Sequence, residues 1–151
     1  MHEITIITDG SCPLGNPGPG GWASIIRWRT EEIVVVGSHP ATTNNRAELM
    51  AAIEALRALK RPCRVELQTD SMYLKQGITE WLAKWTASGW KTASGKPVLN
   101  QDLWYQLDEL AKQHEVRWNW IPGHWENADH DRVDQLARQA AREQAAALAR
   151  H

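Results

Sequence analysis

The sequence contains no phenylalanine, only two cysteines, no excess charge of either sign and no apolar run longer than a few residues. Each scarcity excludes something. A helix spanning a bilayer needs about 20 predominantly apolar residues, so no segment is expected to cross a membrane. Two cysteines cannot build a disulfide scaffold; Cys12 and Cys63 fit free thiols in a reducing, cytoplasmic setting. Met1-His2-Glu3 carries no basic, apolar leader, so no secretory signal is expected. With 17 Lys and Arg against 18 Asp and Glu, the formal charge is −1, and any nucleic-acid contact must rely on local basic patches. What is present is ordinary globular usage, 42% hydrophobic and 23% charged residues over 151 positions, which points to one domain and excludes disordered, collagen-like and coiled-coil chains. The place of phenylalanine is taken by nine tryptophans, several at polar, glycine-rich positions.

Hydrophobic periodicity divides the chain. Residues 3–9 read as a β-branched strand. Gly10 to Gly21 is rich in breakers and reads as a loop. Residues 22–29 and 32–38 form a hairpin about Thr30-Glu31. From Asn44 to Lys60 the period becomes helical, with Leu49, Ile53 and Leu56 on one face. Arg64 to Asp70 alternates as a strand. Short helices are expected over Ser71–Gly77 and around Trp81 and Trp85, a longer one over Asn100–Gln113, a strand over Glu115–Ile121 and a final helix over Asp131–Ala149, fraying after about residue 146. The order β-β-β-α-β-α-α-α-β-α belongs to an α/β fold, a mixed sheet with helices packed on it.

Two strands end on aspartate: Asp9 before Gly10-Ser11, and Asp70 before Ser71. Ligands in α/β sheets gather at C-terminal strand edges, so neighbouring strands would bring these carboxylates together. Taken singly, each has an ordinary explanation as a turn former or helix cap. Glu48 could close a capping box with Asn45. Asp134 could answer a helix dipole, and His124 could be a surface loop residue. The periodic spacing of Trp85, Trp104, Trp118 and Trp120 favours core packing. The run Gly15–Gly21 lacks the Lys-Ser/Thr ending of a Walker loop.

Taken together, the strings Thr8-Asp9-Gly10-Ser11, Gly15-Asn16-Pro17-Gly18-Pro19-Gly20-Gly21, Thr42-Thr43-Asn44-Asn45-Arg46-Ala47-Glu48-Leu49, Thr69-Asp70-Ser71, Gly89-Trp90-Lys91-Thr92 and Gly123-His124 resemble ribonuclease HI of the bacterial type, from about Ile4 to Ala141. The resemblance implies a ribonuclease H-like fold with a five-stranded mixed sheet and helices on both faces, a single domain over residues 1–151. It also implies endonucleolytic hydrolysis of the RNA strand of an RNA–DNA hybrid, leaving 5′-phosphate and 3′-hydroxyl ends, by a monomer with no obligatory protein partner.

The same resemblance assigns the metal ligands to Asp9, Glu48, Asp70 and Asp134. Their occupants are two Mg²⁺ ions, with Mn²⁺ as the alternative: hard cations take oxygen ligands, and a pair about 3.5–4 Å apart can hold both the attacking and the leaving oxygen. His124 corresponds to a histidine that assists proton transfer or product departure. Asn16, Asn44 and Asn45, beside Cys12, would face the minor groove, where an amide can recognise the 2′-hydroxyl. Thr43 and Asn100 would grip a DNA-strand phosphate, and Trp81 would line the DNA channel. Lys84, Lys91 and Lys96 would meet the backbone from a protrusion over Glu80–Gln101. The chain departs from the family pattern at Pro13, an insertion; at His130, where asparagine is usual; at Trp125-Glu126 after His124; and at the protrusion, where Thr86, Ala87, Ser88 and Leu99 fill positions often basic. Two rival readings are an integrase or resolvase on the same fold and a non-catalytic hybrid-binding module. The Thr42–Glu48 segment and the four retained carboxylates weigh against them.

Overall fold

The computed structural model describes residues 1–123 and 127–150. Five strands form one sheet: β1 (His2–Ser11), β2 (Gly18–Trp28), β3 (Glu31–Thr42), β4 (Cys63–Thr69) and β5 (Glu115–Trp120). The helices are α1 (Asn44–Arg57), α2 (Met72–Gln76), α3 (Leu82–Ala87), α4 (Gln101–Ala111) and α5 (Ala128–Ala149), and a single π-helical turn, Gly77–Trp81, joins α2 to α3. The strand order is β3-β2-β1-β4-β5. The first three strands are an antiparallel meander, whereas β4 and β5 add in parallel after helical crossovers. This is the expected mixed sheet.

Successive side chains of a strand point to opposite faces, so β1 feeds two cores. Ile6 joins Leu49, Ile53 and Leu56 of α1 with Val65 and Leu67 of β4, and Leu103, Trp104 and Leu107 of α4 close that core. Ile7 faces the other way, with Ala23 and Ile25 of β2 against Val133 and Ala137 of α5. Helices therefore cover both faces. Ile6, Ile53 and Trp104 are fully buried, and burying a large apolar side chain contributes about 1.5–3 kcal/mol.

Several boundaries differ from expectation, among them β3, which runs on to Thr42 past the expected end at residue 38 because it stays paired with β2. The segment read as a loop over Gly10–Gly21 is strand at both ends, because β1 runs to Ser11 and β2 begins at Gly18. Its glycines serve close approach: a Cβ on Gly21 would collide with the α5 backbone at Ala137 and Ala141. Pro19 is accommodated where the register between β2 and β3 shifts. The last helix starts at Ala128, three residues early, because the Asn127 side chain accepts from the backbone N–H of His130 at 3.0 Å and caps it. It remains helical to Ala149, past the fraying expected after about residue 146. Trp104 is wholly buried, and Trp85 and Trp118 pack on the core while half-buried. Trp120, expected in the core, is instead 38% exposed at the end of β5, where its indole N–H reaches the Asp70 carbonyl.

Candidate active site

The parallel pairing of β1 with β4 aligns Ile7 with Gln68. Two residues further along each strand stand Asp9 and Asp70, so both carboxylates leave the sheet at one edge. Asp70 is not a helix cap: Ser71 takes that role, its hydroxyl accepting from the Leu74 N–H at 3.0 Å. Glu48 is not part of a capping box either. Thr43 is the N-cap of α1, its hydroxyl oxygen accepting from the Arg46 N–H at 3.1 Å. Glu48 lies a full turn into the helix and turns inward, 9% exposed. Gly10 permits this, because a Cβ there would collide with the backbone of Ala47 and Glu48. The start of α1 thus presses directly on the end of β1.

Asp134 arrives on α5. Its carboxylate accepts from Arg138 at 3.0 Å, one turn on, and also reaches the Asp9 side chain. The first turn of α5 is fixed to the hairpin by an ionic network. Arg27 of β2 binds both oxygens of Asp129 at 2.8 and 2.9 Å, and Glu32 of β3 takes both Arg27 at 2.8 Å and Arg132 at 2.6 Å. Exposed pairs are individually weak, but a shared bidentate network restricts where the helix can sit.

Burial and mutual repulsion dominate the electrostatics. The Asp9 carboxyl is pushed up to about 7, first by burial and then by the nearby charge of Asp70, against a hydrogen bond with Glu48 that pulls it down. Glu48 is held well above the ordinary glutamate range by burial and by the adjacent Asp9. One of its oxygens, Oε2, is buried without a hydrogen-bond partner among the described residues. Buried acids in this state take up protons or a cation.

A fifth group completes the cluster. His130, in the first turn of α5, is 5% exposed, and its Nε2 lies 3.1 Å from Asp70 Oδ2. The pair is close but is not aligned as a hydrogen bond. Proximity to Asp70 raises the imidazole above its ordinary value against the effect of burial. Ligand atoms of Asp9, Asp70 and His130 all lie within 4.8 Å of one another. On the outer side the indole N–H of Trp120 donates to the Asp70 carbonyl at 3.0 Å. His124 lies outside the described residues.

The residues expected to meet substrate form an adjoining strip. The Asn44 side-chain oxygen accepts from the Cys12 N–H at 2.8 Å, and the Asn16 side-chain oxygen accepts from the Asn44 N–H at 3.0 Å. Both amides are thereby oriented with their oxygens engaged. Asn16, Asn44 and Asn45 are exposed, whereas Cys12 is 6% exposed, so its thiol is packed inside the loop. Asn100, in the left-handed conformation at φ 61°, donates to the Tyr73 hydroxyl at 3.0 Å and accepts from Arg46 at 3.2 Å. Trp81 is half-buried with its ring 5.8 Å from Tyr73, and Lys84, Lys91 and Lys96 are exposed.

A family model for RNase H matches residues 1–142. The chain belongs to the ribonuclease H family. It is 57% identical over 136 residues to a ribonuclease H of Halorhodospira halophila, covering 90% of this chain and 91% of that one. It is 52% identical to a ribonuclease HI of Xylella fastidiosa, with 99% of each chain covered. Among solved structures it resembles LC9-RNase H1, described as a type 1 RNase H with the type 2 active-site motif, at TM-score 0.86 and 33% identity over 95% of this chain and 74% of that one. Ribonucleases H are metal-dependent, and the acidic cluster lies where this family member could hold a metal.

Two residues beside Asp70 carry more weight in the structure than in the sequence. His130 stands out in the sequence only as a departure from the family pattern; its position four residues before Asp134 puts it one helical turn away on the same face. Periodicity assigns Trp120 to the core, and nothing in the spacing distinguishes a final strand residue that stays exposed.

Proposed function

We propose that this chain hydrolyses the RNA strand of RNA–DNA hybrids, as an endonuclease, where Asp9, Glu48, Asp70 and Asp134 converge. The reading is supported by Asp9 of β1 and Asp70, just past β4, whose ligand atoms lie within 4.8 Å of each other, with Glu48 of α1 and Asp134 of α5 beside Asp9 and with Asp9 and Glu48 raised above the ordinary carboxylate range. A buried Glu48 oxygen, unpartnered among the described residues, and a set of hard oxygen donors fit a divalent cation. When bound, a pair of Mg²⁺ ions, or Mn²⁺ in their place, supplies Lewis-acid stabilisation of the attacking and leaving oxygens.

The protein's own groups bind and orient. Asn16 and Asn44, their oxygens already engaged, offer N–H donors to 2′-hydroxyls, and Asn45 adds a third amide. Cys12 contributes its backbone, which fixes Asn44. Thr43 spends its hydroxyl oxygen on Arg46 and keeps its proton for a DNA-strand phosphate, beside the remaining amide hydrogen of Asn100. Trp81 offers an apolar face to deoxyribose, and Lys84, Lys91 and Lys96 meet phosphates by charge. His124 assists a proton transfer or product departure, work for which an imidazole is the usual side chain. Scission leaves 5′-phosphate and 3′-hydroxyl ends. The enzyme acts as a single domain over residues 1–151, a monomer without an obligatory protein partner. A cytoplasmic setting suits two buried free cysteines. Among the described residues no helix is long and apolar enough to cross a membrane.

The test is incubation with end-labelled hybrid, duplex DNA and duplex RNA, with and without Mg²⁺. Cleavage confined to the RNA strand of the hybrid, and only with metal, is expected. Cleavage of duplex DNA would favour an integrase-like nuclease, and binding without cleavage a recognition module.

A further inference from the structure

His130 is an anomaly in a site built from carboxylates. It is 5% exposed, and among the described residues neither ring nitrogen has a hydrogen-bond partner. Leaving a buried donor or acceptor unsatisfied costs about 1–3 kcal/mol. The ring projects from the first turn of α5, where Asn127 accepts from the His130 backbone N–H. Its Nε2 instead stands 3.1 Å from Asp70 Oδ2, unaligned for hydrogen bonding, and within 4.8 Å of a carboxylate oxygen of Asp9. Two donors bound at right angles to one ion, each at about 2.1 Å, stand roughly 3 Å apart. The observed separation, that of a His–Asp ion pair, is also that of neighbouring ligands on a single cation.

We propose that His130 is a direct nitrogen ligand of the metal held by Asp9 and Asp70, making the centre a mixed carboxylate–imidazole site selective for first-row transition ions such as Mn²⁺ over Mg²⁺. The inference rests on the reading of the carboxylates as metal ligands. Mg²⁺ favours all-oxygen surroundings with several waters, whereas imidazole suits the later first-row ions and affinity rises along that series. His130 thus sets which ion the site prefers. Asp9, Glu48 and Asp70 supply the charge that any cation needs.

The test uses Mn²⁺ alone, without substrate. Pulsed electron paramagnetic resonance of Mn²⁺ bound to the wild type should show ¹⁴N coupling, replaced by ¹⁵N coupling after histidine labelling. The coupling should persist in His124→Ala and vanish in His130→Asn. Calorimetry should show His130→Asn losing about tenfold or more in Mn²⁺ affinity with a smaller change for Mg²⁺. The labelled wild type and His124→Ala need no change at position 130, so a misfolded His130→Asn does not block the test. Mn²⁺ bound without nitrogen coupling, or coupling lost in His124→Ala, overturns the ligand assignment and leaves the carboxylate site standing. Failure of the wild type to bind Mn²⁺ at all overturns both.

Discussion

The indole N–H of Trp120 donates to the backbone carbonyl of Asp70 at 3.0 Å, tying the last residue of β5 to the residue that comes after β4. The two strands run parallel and end together at Thr69 and Trp120. The bond fixes the peptide that aims the Asp70 carboxylate. It also explains why an aromatic residue 38% exposed sits there. Trp120→Phe keeps an aromatic ring, smaller than indole, and removes the donor. A hydrogen bond contributes about 0.5–1.5 kcal/mol net, so turnover on hybrid should fall by up to roughly tenfold. The thermal midpoint should fall by only a few degrees, as about 1 kcal/mol does in a domain of this size. Unchanged turnover would show that the bond does not position Asp70.

Metal-free stability should depend on pH through Asp9 and Glu48. Both acids have folded values above their ordinary ones, about 7 for Asp9. The native state therefore holds more protons than the unfolded chain between the ordinary carboxylate range and about 7. Stability is full below that window and falls as pH rises through it. Denaturant titrations of wild type and Asp9→Asn, with chelator present, measure this. The variant should be more stable at pH 7 and show a flatter profile. Mg²⁺ should raise the wild-type midpoint by mass action, and the variant should respond less. A variant with the wild-type profile and response places Asp9 outside the cluster.

Much of this site is legible in the sequence. Asp9 and Asp70 are read near the ends of clear strands, although β1 runs two residues past Asp9, and the parallel arrangement expected of β-α-β crossovers brings them together. The Thr42–Glu48 string places Thr43, Asn44 and Asn45 around a helix start, and that is where they are. The rest is tertiary. Gly21, which looks like a loop residue, lies in a strand with α5 packed directly against it, a reason held by residues more than a hundred positions away. The start of α5 escapes a reading by periodicity because Asn127 caps it from within a polar stretch with no hydrophobic period. His130 shows that a substitution in a family pattern acquires meaning only when its buried neighbours are seen.

His124→Ala should slow cleavage without abolishing it, since a proton-shuttling group contributes about 10²–10⁴-fold and the carboxylate site retains the rest. Single-turnover rates on hybrid across pH 6–9 measure this. A variant as fast as wild type throughout would remove His124 from the reaction.

Hybrid binding should be weaker, with a shallower salt dependence, than in relatives with a fully basic protrusion. Here Lys84, Lys91 and Lys96 stand exposed against Glu80 alone. Each phosphate neutralised contributes about −0.9 to the slope of log K against log salt on duplex DNA. Thr86→Lys with Ser88→Arg should therefore steepen the slope by nearly 2 by that estimate and lower KM, while kcat holds. Binding measured in Ca²⁺ over a salt series decides. An unchanged slope would mean that the protrusion does not touch substrate.

The central claim concerns the carboxylate cluster, and Asp70→Asn tests it most directly. The amide keeps the shape of the side chain and removes the charge a cation needs at the junction of β1, β4 and α5. Cleavage of labelled hybrid in saturating Mg²⁺ and binding of the same hybrid in Ca²⁺ should be measured side by side. Cleavage should fall by roughly 10²–10³-fold or more, the scale on which losing one electrostatic stabiliser acts, while the dissociation constant stays within a few-fold of wild type. Near-normal cleavage by a folded Asp70→Asn protein would contradict the account.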